Sequence, residues 1–166
     1  MRRRLKPLAW YAEEKLGFGT FSSLLGITFE DSVDRGGTGH WTAMASGDSC
    51  LVQIRNDAVV AAFPFQDSSA FSNNPVLLST NGDHDQGLAQ LRNACGGWES
   101  EDCFFLMTDA LAAWFYSERE REQKPWQLLR DLGIDSRKPF CAWVASLREQ
   151  RAMKNDDVTL YRISIG

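Results

Sequence analysis

Short apolar runs separated by polar turns fill the first sixty residues of the chain. Residues 21–29 form one run, a glycine-rich turn follows, and residues 41–45 have the length and content of a strand. Two more apolar runs, residues 50–54 and 58–63, lie on either side of a polar turn at residues 55–57. The pattern predicts three or four antiparallel strands.

The remaining chain predicts helices between strands. Residues 64–97 are rich in Ser, Asn, Asp and Gly and predict only a short helix over residues 88–94. From there the pattern predicts a strand at 103–107, helices at 110–120, 126–132 and 140–151, and a last strand at 158–163; a further helix is predicted at 8–16. Strands first, helices between and a strand last predict an α+β fold, with layers of sheet and helix.

Length and composition limit the classes of function. A chain of 166 residues with 43% hydrophobic content predicts one domain, residues 1–166. The net charge of −4 and the lack of a basic stripe argue against a nucleic acid partner. No apolar run reaches the roughly 20 residues needed to span a bilayer, and Pro7 interrupts the basic start where a signal peptide would need an apolar stretch. We predict a cytoplasmic protein without membrane contact.

Several motifs are too incomplete to define other enzyme classes. The four cysteines lack Cys-x-x-Cys spacing, which predicts reduced thiols rather than zinc ligands or disulfides. Ser49 lacks the second glycine of a nucleophile elbow, and only His40 and His84 could serve as its base. The acidic loop at residues 81–87 misses the spacing of a calcium-binding EF-hand, and no Walker loop occurs.

Two acidic turns adjoin the last two predicted strands. Asp109 follows the strand at 103–107, and Asp156 with Asp157 precedes the strand at 158–163. If these strands are neighbours in one sheet, Asp109 and Asp156 converge at its edge, where carboxylate oxygens suit Mg²⁺ or Mn²⁺. Each aspartate alone also has an ordinary explanation, since aspartate is favoured at helix N-termini and in turns.

Four short motifs lie at strand ends in this order: Gly19-Thr20, Gly47-Asp48-Ser49, Thr108-Asp109-Ala110-Leu111 and Asp156-Asp157-Val158-Thr159-Leu160. In content and order they resemble those of the type 2C metal-dependent protein serine/threonine phosphatases. The likeness covers about residues 17–165. It is greatest to the divergent bacterial branch of that family, which shares the Phe-Pro turn at residues 63–64.

The resemblance implies a fold, a cofactor and a reaction. The implied fold is an antiparallel β-sandwich flanked by helices, in α-β-β-α layers, with a two-metal centre at one end. The implied reaction is hydrolysis of phosphoserine or phosphothreonine in a phosphoprotein by a water that Mn²⁺ or Mg²⁺ activates, so no catalytic side chain is assigned. By motif position Asp109 and Asp156 match metal ligands, while Asp48, Asp157 and Thr108 match positions that support them.

The chain departs from the family pattern in three places. Ala110 stands where glycine is usual, and Asp157 stands where asparagine is usual. The family's N-terminal portion carries an Asp-Gly-His-Gly-Gly turn whose aspartate bridges both metals, and no Asp-Gly dipeptide occurs in this sequence. We therefore expect a fold that is N-terminally truncated relative to the family, with weak metal binding and little turnover.

Three interpretations stay open from the sequence. The chain is a phosphatase whose upstream part lies elsewhere or is lost, a non-catalytic phosphatase-like module, or a generic α+β domain in which both aspartates only cap and turn. The module would bind a protein partner through exposed surface near Trp98 or Trp114. Because missing strands leave open sheet edges, we also predict that the chain self-associates as a homo-oligomer.

Overall fold

A computed structural model describes residues 19–32, 36–72, 75–81, 86–132 and 137–166. The strands in these ranges are β1 (Phe21–Ser22), β2 (Leu24–Asp31), β3 (Thr38–Ser46), β4 (Cys50–Arg55), β5 (Ala58–Phe63), β6 (Leu78–Ser79), β7 (Arg92–Glu99), β8 (Cys103–Met107) and β9 (Leu160–Ser164). The helices are α1 (Gln86–Ala89), α2 (Asp109–Glu120), α3 (Pro125–Asp131) and α4 (Arg137–Glu149), with a 3₁₀ turn at Ser68–Ala70. The helix predicted over residues 8–16 lies outside the described residues.

The main strands form two antiparallel sheets. One sheet has the order β2-β3-β7, the other has the order β5-β4-β8-β9, and β1 pairs separately with β6. The predicted strands of the first sixty residues and the two strands beside the acidic turns are all present. The α+β class, with antiparallel sheets packed against helices, is confirmed. The assignment of residues 1–166 to one domain stays a prediction.

The two sheets pack face to face around aromatic and small side chains. Residues alternate along β3, so that Trp41, Ala43 and Ala45 are buried between the sheets while the residues between them face outward and are exposed. Phe104 of β8 meets them from the other sheet, and its ring lies edge-on to that of Phe29 with centroids 5.0 Å apart. Full burial of such a side chain contributes about 1.5–3 kcal/mol.

Helices α2, α3 and α4 cover the other face of the four-stranded sheet. Val52 and Phe105 point toward these helices, whereas their strand neighbours point into the sandwich, so β4 and β8 are buried on both faces. Trp114 of α2 packs edge-on against Trp143 of α4, with ring centroids 4.8 Å apart. Since the outward face of β3 is exposed, the described residues form three of the four expected layers. In these ranges no helix is long and apolar enough to cross a bilayer.

The cysteines are free thiols in two different environments. Cys50 and Cys103 are buried beneath the helices, whereas Cys95 and Cys141 are exposed. Burial raises the pKa of the Cys50 thiol to about 12, so this thiol stays protonated at neutral pH.

The helix predicted over residues 88–94 is wrong beyond residue 89, because helix α1 ends at Ala89 and residues 92–94 begin strand β7. Strand β7 contains two glycines and no β-branched residue, so its sequence does not indicate a strand. Gly96 lies opposite Trp41 of β3, and a Cβ atom at Gly96 would lie 2.8 Å from the indole ring. Gly39 lies opposite Trp98 in the same way, with a Cβ atom 2.5 Å from that indole. The pairing with β3 therefore requires these glycines.

The sequence prediction of an exposed surface near Trp98 or Trp114 is also wrong. Trp98 is 7% exposed and packs between the sheets, and Trp114 is 6% exposed under the helical layer. Both rings are held by the sandwich and its helices and present no large docking face. The exposed apolar side chains in the described residues include Val60 at a sheet edge, which is 50% exposed.

A buried carboxylate ties the two sheets together at one end of the sandwich. Asp102 is 1% exposed, and its Oδ2 accepts hydrogen bonds from Gln53 Nε2 at 2.7 Å, Arg55 Nη2 at 2.7 Å and the Glu99 N–H at 2.9 Å. Its Oδ1 accepts a fourth bond from Arg55 Nε at 2.8 Å. Burial would raise the pKa of Asp102, but these donors outweigh burial and hold its pKa below the ordinary value.

Gln53 extends this network across the interior. Its Nε2 also donates to the Gly97 carbonyl of β7 at 2.9 Å, and its Oε1 accepts from the indole N–H of Trp41 at 2.9 Å. Gln53 belongs to the four-stranded sheet, whereas Trp41 and Gly97 belong to the three-stranded sheet. Directional bonds therefore fix one sheet against the other, in addition to apolar packing.

We predict that Asp102→Asn lowers the free energy of unfolding by about 3 kcal/mol at neutral pH, because Arg55 and Gln53 lose their buried anion. The folded-state pKa of Asp102 lies below its unfolded value of about 3.9. The stabilisation is therefore complete above that unfolded value and is lost as the pH falls through the folded value. Urea unfolding at several pH values should show the difference between wild type and variant shrinking in acid.

Glu99→Gln is the matched control. Glu99 pairs with the same arginine at 2.7 Å, but its side chain is 55% exposed. Such surface pairs contribute about 0–1 kcal/mol, so this variant should unfold close to wild type. Equal losses for the two variants, or a difference for Asp102→Asn that does not change with pH, would contradict the assignment.

Candidate metal centre

Three turns meet at one edge of the four-stranded sheet. In the register of this sheet Cys50, which begins β4, lies opposite Met107, which ends β8, and Met107 lies opposite Leu160, which begins β9. The chain before β4, after β8 and before β9 therefore comes together at the same end. The neighbouring strands assumed from the sequence are confirmed.

Asp109 and Asp156 converge on one ammonium group. Lys154 Nζ lies 3.5 Å from Asp109 Oδ2 and 3.3 Å from Asp156 Oδ2. The side chains of Asp109 and Asp156 are 23% and 47% exposed, and that of Lys154 is 53% exposed. Although 47 positions separate them in sequence, the two carboxylates thus share a cation at the sheet edge. Their role as metal ligands stays a prediction.

Lys154 is the member of this centre that the sequence patterns missed. The hydrogen bond to Asp156 and the charge of Asp109 raise the pKa of Lys154. In turn the Asp157 backbone N–H, and after it Lys154, hold the pKa of Asp156 below its ordinary value. A lysine two residues before the Asp-Asp pair is the available signal, but only the fold shows that it also reaches Asp109.

Asp48, in the turn before β4, belongs to the same electrostatic group. Its side chain is half-buried, and burial raises its pKa, with the negative charge of Asp109 adding to the effect. Asp156 raises the pKa of Asp48 further, whereas Lys154 lowers it. With Asp157 and Arg148 included, four carboxylates face two cationic groups, which leaves this end of the sheet with an excess of negative charge.

Thr108 and Asp157 hold the two acidic turns together, largely through backbone groups. Thr108 Oγ1 donates to the Asp157 carbonyl at 3.0 Å and accepts from the Thr159 N–H at 2.9 Å. The Asp157 N–H donates to Asp156 Oδ1 at 2.9 Å, while the Asp157 side chain is exposed. Arg148 of α4 adds a hydrogen bond to the Asp156 carbonyl. The Asp156 turn is therefore fixed from two sides.

The carboxylates of Asp109 and Asp156 suit one hard cation, and the Lys154 ammonium occupies the position between them. Carboxylate oxygens are the preferred protein ligands of Mg²⁺ and Mn²⁺. The Lys154 ammonium shows that a positive charge is stable between Asp109 and Asp156. In the described residues no three His, Cys, Asp or Glu side chains form a group close enough to hold a metal. A cation held here would therefore have two protein carboxylates, with water in its other positions.

In this fold His40 cannot serve as the base for Ser49. His40 lies near the start of β3, while Ser49 follows the other end of that strand. The intervening length of strand separates them by roughly 20 Å. Ser49 Oγ instead donates to Ser23 Oγ at 3.5 Å. His84 lies outside the described residues.

Comparisons with known proteins give one weak structural likeness. No protein-family model matches the chain, and no curated protein matches it. A solved structure described as the X-ray structure of the photosystem II phosphatase PBCP is 18% identical with a TM-score of 0.41. The match covers 55% of this chain and 33% of that one. A TM-score of this size does not establish a shared fold.

We predict that Thr108→Val lowers the free energy of unfolding by about 1–2 kcal/mol, because valine keeps the shape but removes both hydroxyl hydrogen bonds. Thr108→Ser is the control, since it keeps the hydroxyl group. Urea unfolding of the three proteins measures the difference. If serine and valine destabilise the protein equally, the hydroxyl does not hold the acidic turns together.

Proposed function

We propose that this chain is a type 2C-like protein serine/threonine phosphatase domain that hydrolyses phosphoserine or phosphothreonine in proteins, with Mn²⁺ or Mg²⁺ as cofactor. The observation that carries the proposal is the meeting of Asp109 and Asp156 around one positive charge. The order of the four sequence motifs supports it, because Asp109 and Asp156 stand at the motif positions of metal ligands. A cytoplasmic location stays a prediction.

In this proposal the chain positions the cation and the sheet edge supports its ligands. Asp109 is the first residue of α2, so the end of β8 and the start of the helix set its direction. Asp156 is set by Arg148 and Thr108 through the hydrogen bonds of its turn. Asp48 adds negative charge without sharing the Lys154 ion pairs. A cation held there would polarise a phosphate oxygen and lower the pKa of its bound water.

We predict that the chain releases phosphate slowly from a phosphothreonine peptide when Mn²⁺ is added, and that Asp109→Asn lowers this rate about 100-fold or more by removing a ligand charge. Asp31→Asn is the matched control, because it makes the same change of charge on an exposed side chain at the end of β2, outside the metal centre. Phosphate release is measured for all three proteins with Mn²⁺ and with a chelator. Absence of Mn²⁺-dependent release from wild type, or equal rates in the two variants, would contradict the proposal.

A second candidate function, a non-catalytic interaction module, is favoured by the free edge of β5. Among the described residues, strand β5 pairs only with β4, and its sequence carries no charged residue or proline. A cavity of about 560 Å³ runs beside this edge toward β7 and is lined by Val60, Phe63, Trp41 and Gly96, among others. Uncharged free edges readily pair with another strand. We propose that a second copy of this chain pairs with β5.

We predict that wild type shows concentration-dependent self-association in sedimentation equilibrium and that Val60→Lys is monomeric, because a charge on the edge opposes strand pairing. Val60→Thr is the control, since threonine keeps the branched shape and the strand preference. A wild type that stays monomeric at high concentration would exclude this mode of association. Association that persists in Val60→Lys would place the interface elsewhere.

A further inference from the structure

We propose that Lys154 is a built-in counter-cation that competes with a divalent ion for Asp109 and Asp156 and so sets the metal affinity of this centre. This inference rests on the proposed function, because it assumes that the two carboxylates bind a metal. Its first support is position. Lys154 Nζ contacts one oxygen of each aspartate, within 3.5 Å of both.

The second support is which oxygens are free. Asp156 Oδ1 already accepts the Asp157 N–H at 2.9 Å, so Oδ2 is the oxygen that it can turn toward a cation. Lys154 is bonded to that same Oδ2, and also to Oδ2 of Asp109. Mg²⁺ coordinates oxygen ligands at about 2.0–2.1 Å, closer than the oxygens of an ammonium ion pair lie. The ammonium and the metal therefore cannot occupy this position together.

The third support is that the lysine can leave while its backbone stays. The neighbouring Met153 is 6% exposed and packs into the core beneath the helices. The Ala152 N–H donates to the Leu147 carbonyl of α4 at 2.8 Å, which fixes the same turn. The Lys154 side chain is 53% exposed and has a flexible stem, so it can move into solvent without disturbing the turn. Exposed ion pairs of this kind are weak enough for a divalent ion to displace.

The fourth support is that the positive charge of Lys154 offsets the negative charges of Asp109 and Asp156. Without a positive charge, Asp109 and Asp156 would repel each other, with Asp48 adding to the repulsion. The lysine keeps the acidic edge assembled when no metal is bound. The same charge raises the metal concentration needed to fill the centre.

The test is Mn²⁺ binding to the full chain, measured from the electron paramagnetic resonance signal of free Mn²⁺. Lys154→Met removes the charge and keeps the length of the side chain, and Lys154→Arg keeps the charge. We expect Lys154→Met to bind Mn²⁺ about tenfold more tightly than wild type, because one repelling charge a few ångströms away is removed. Lys154→Arg should bind no more tightly than wild type. Lys154→Gln serves as a second neutral variant if the methionine variant does not fold.

These measurements test the role of Lys154 separately from the proposed phosphatase activity. Equal Mn²⁺ affinity in wild type and both neutral variants would overturn the role of Lys154, whatever the phosphatase assay shows. Tighter binding that persists after Asp156→Asn is added to Lys154→Met would also overturn it, since the ion would then lie elsewhere. Tighter binding without phosphopeptide hydrolysis in any variant would support the counter-cation and refute the proposed function.

Discussion

The antiparallel ladder that joins β8 to β4 on one side and to β9 on the other determines where every acidic turn lies. Because these strands run in alternating directions, the end of β8 and the starts of β4 and β9 share one edge. The two central strands are buried on both faces, which makes their register hard to change. This ladder brings Asp109 and Asp156 to one edge, and the hydrogen bonds of Thr108 and Arg148 fix the Asp156 turn there.

The carboxylates at the two ends of the sandwich lie in opposite electrostatic environments. Asp102 lies in the interior with four hydrogen bonds and a pKa below its ordinary value, so its charge is fully satisfied by the protein. At the other end burial raises the pKa of Asp48, and one exposed lysine serves Asp109 and Asp156. The first arrangement stabilises the fold, whereas the second leaves negative charge that an added cation can neutralise.

Sequence patterns predicted the parts of this fold that rest on local preference. The strands at residues 103–107 and 158–163, with Asp109 and Asp156 beside them, follow from apolar runs that end in acidic turns. Strand β7 was not predicted, because Gly96 is required by the facing Trp41 of β3 and not by any local preference for a strand. Burial of Trp98 and Trp114 likewise depends on packing between layers. The position of Lys154 could not be predicted, since its contact with Asp109 exists only after β8 and β9 have paired.

The opposed tryptophans and glycines of β3 and β7 fix the register of these two strands in the three-stranded sheet. Trp41 covers Gly96, and Trp98 covers Gly39, so each strand places one indole over one glycine of the other strand. Sliding one strand by two residues would set the two indoles face to face in one direction and the two glycines in the other. The first arrangement collides and the second leaves a hole, so the sheet closes in a single alignment.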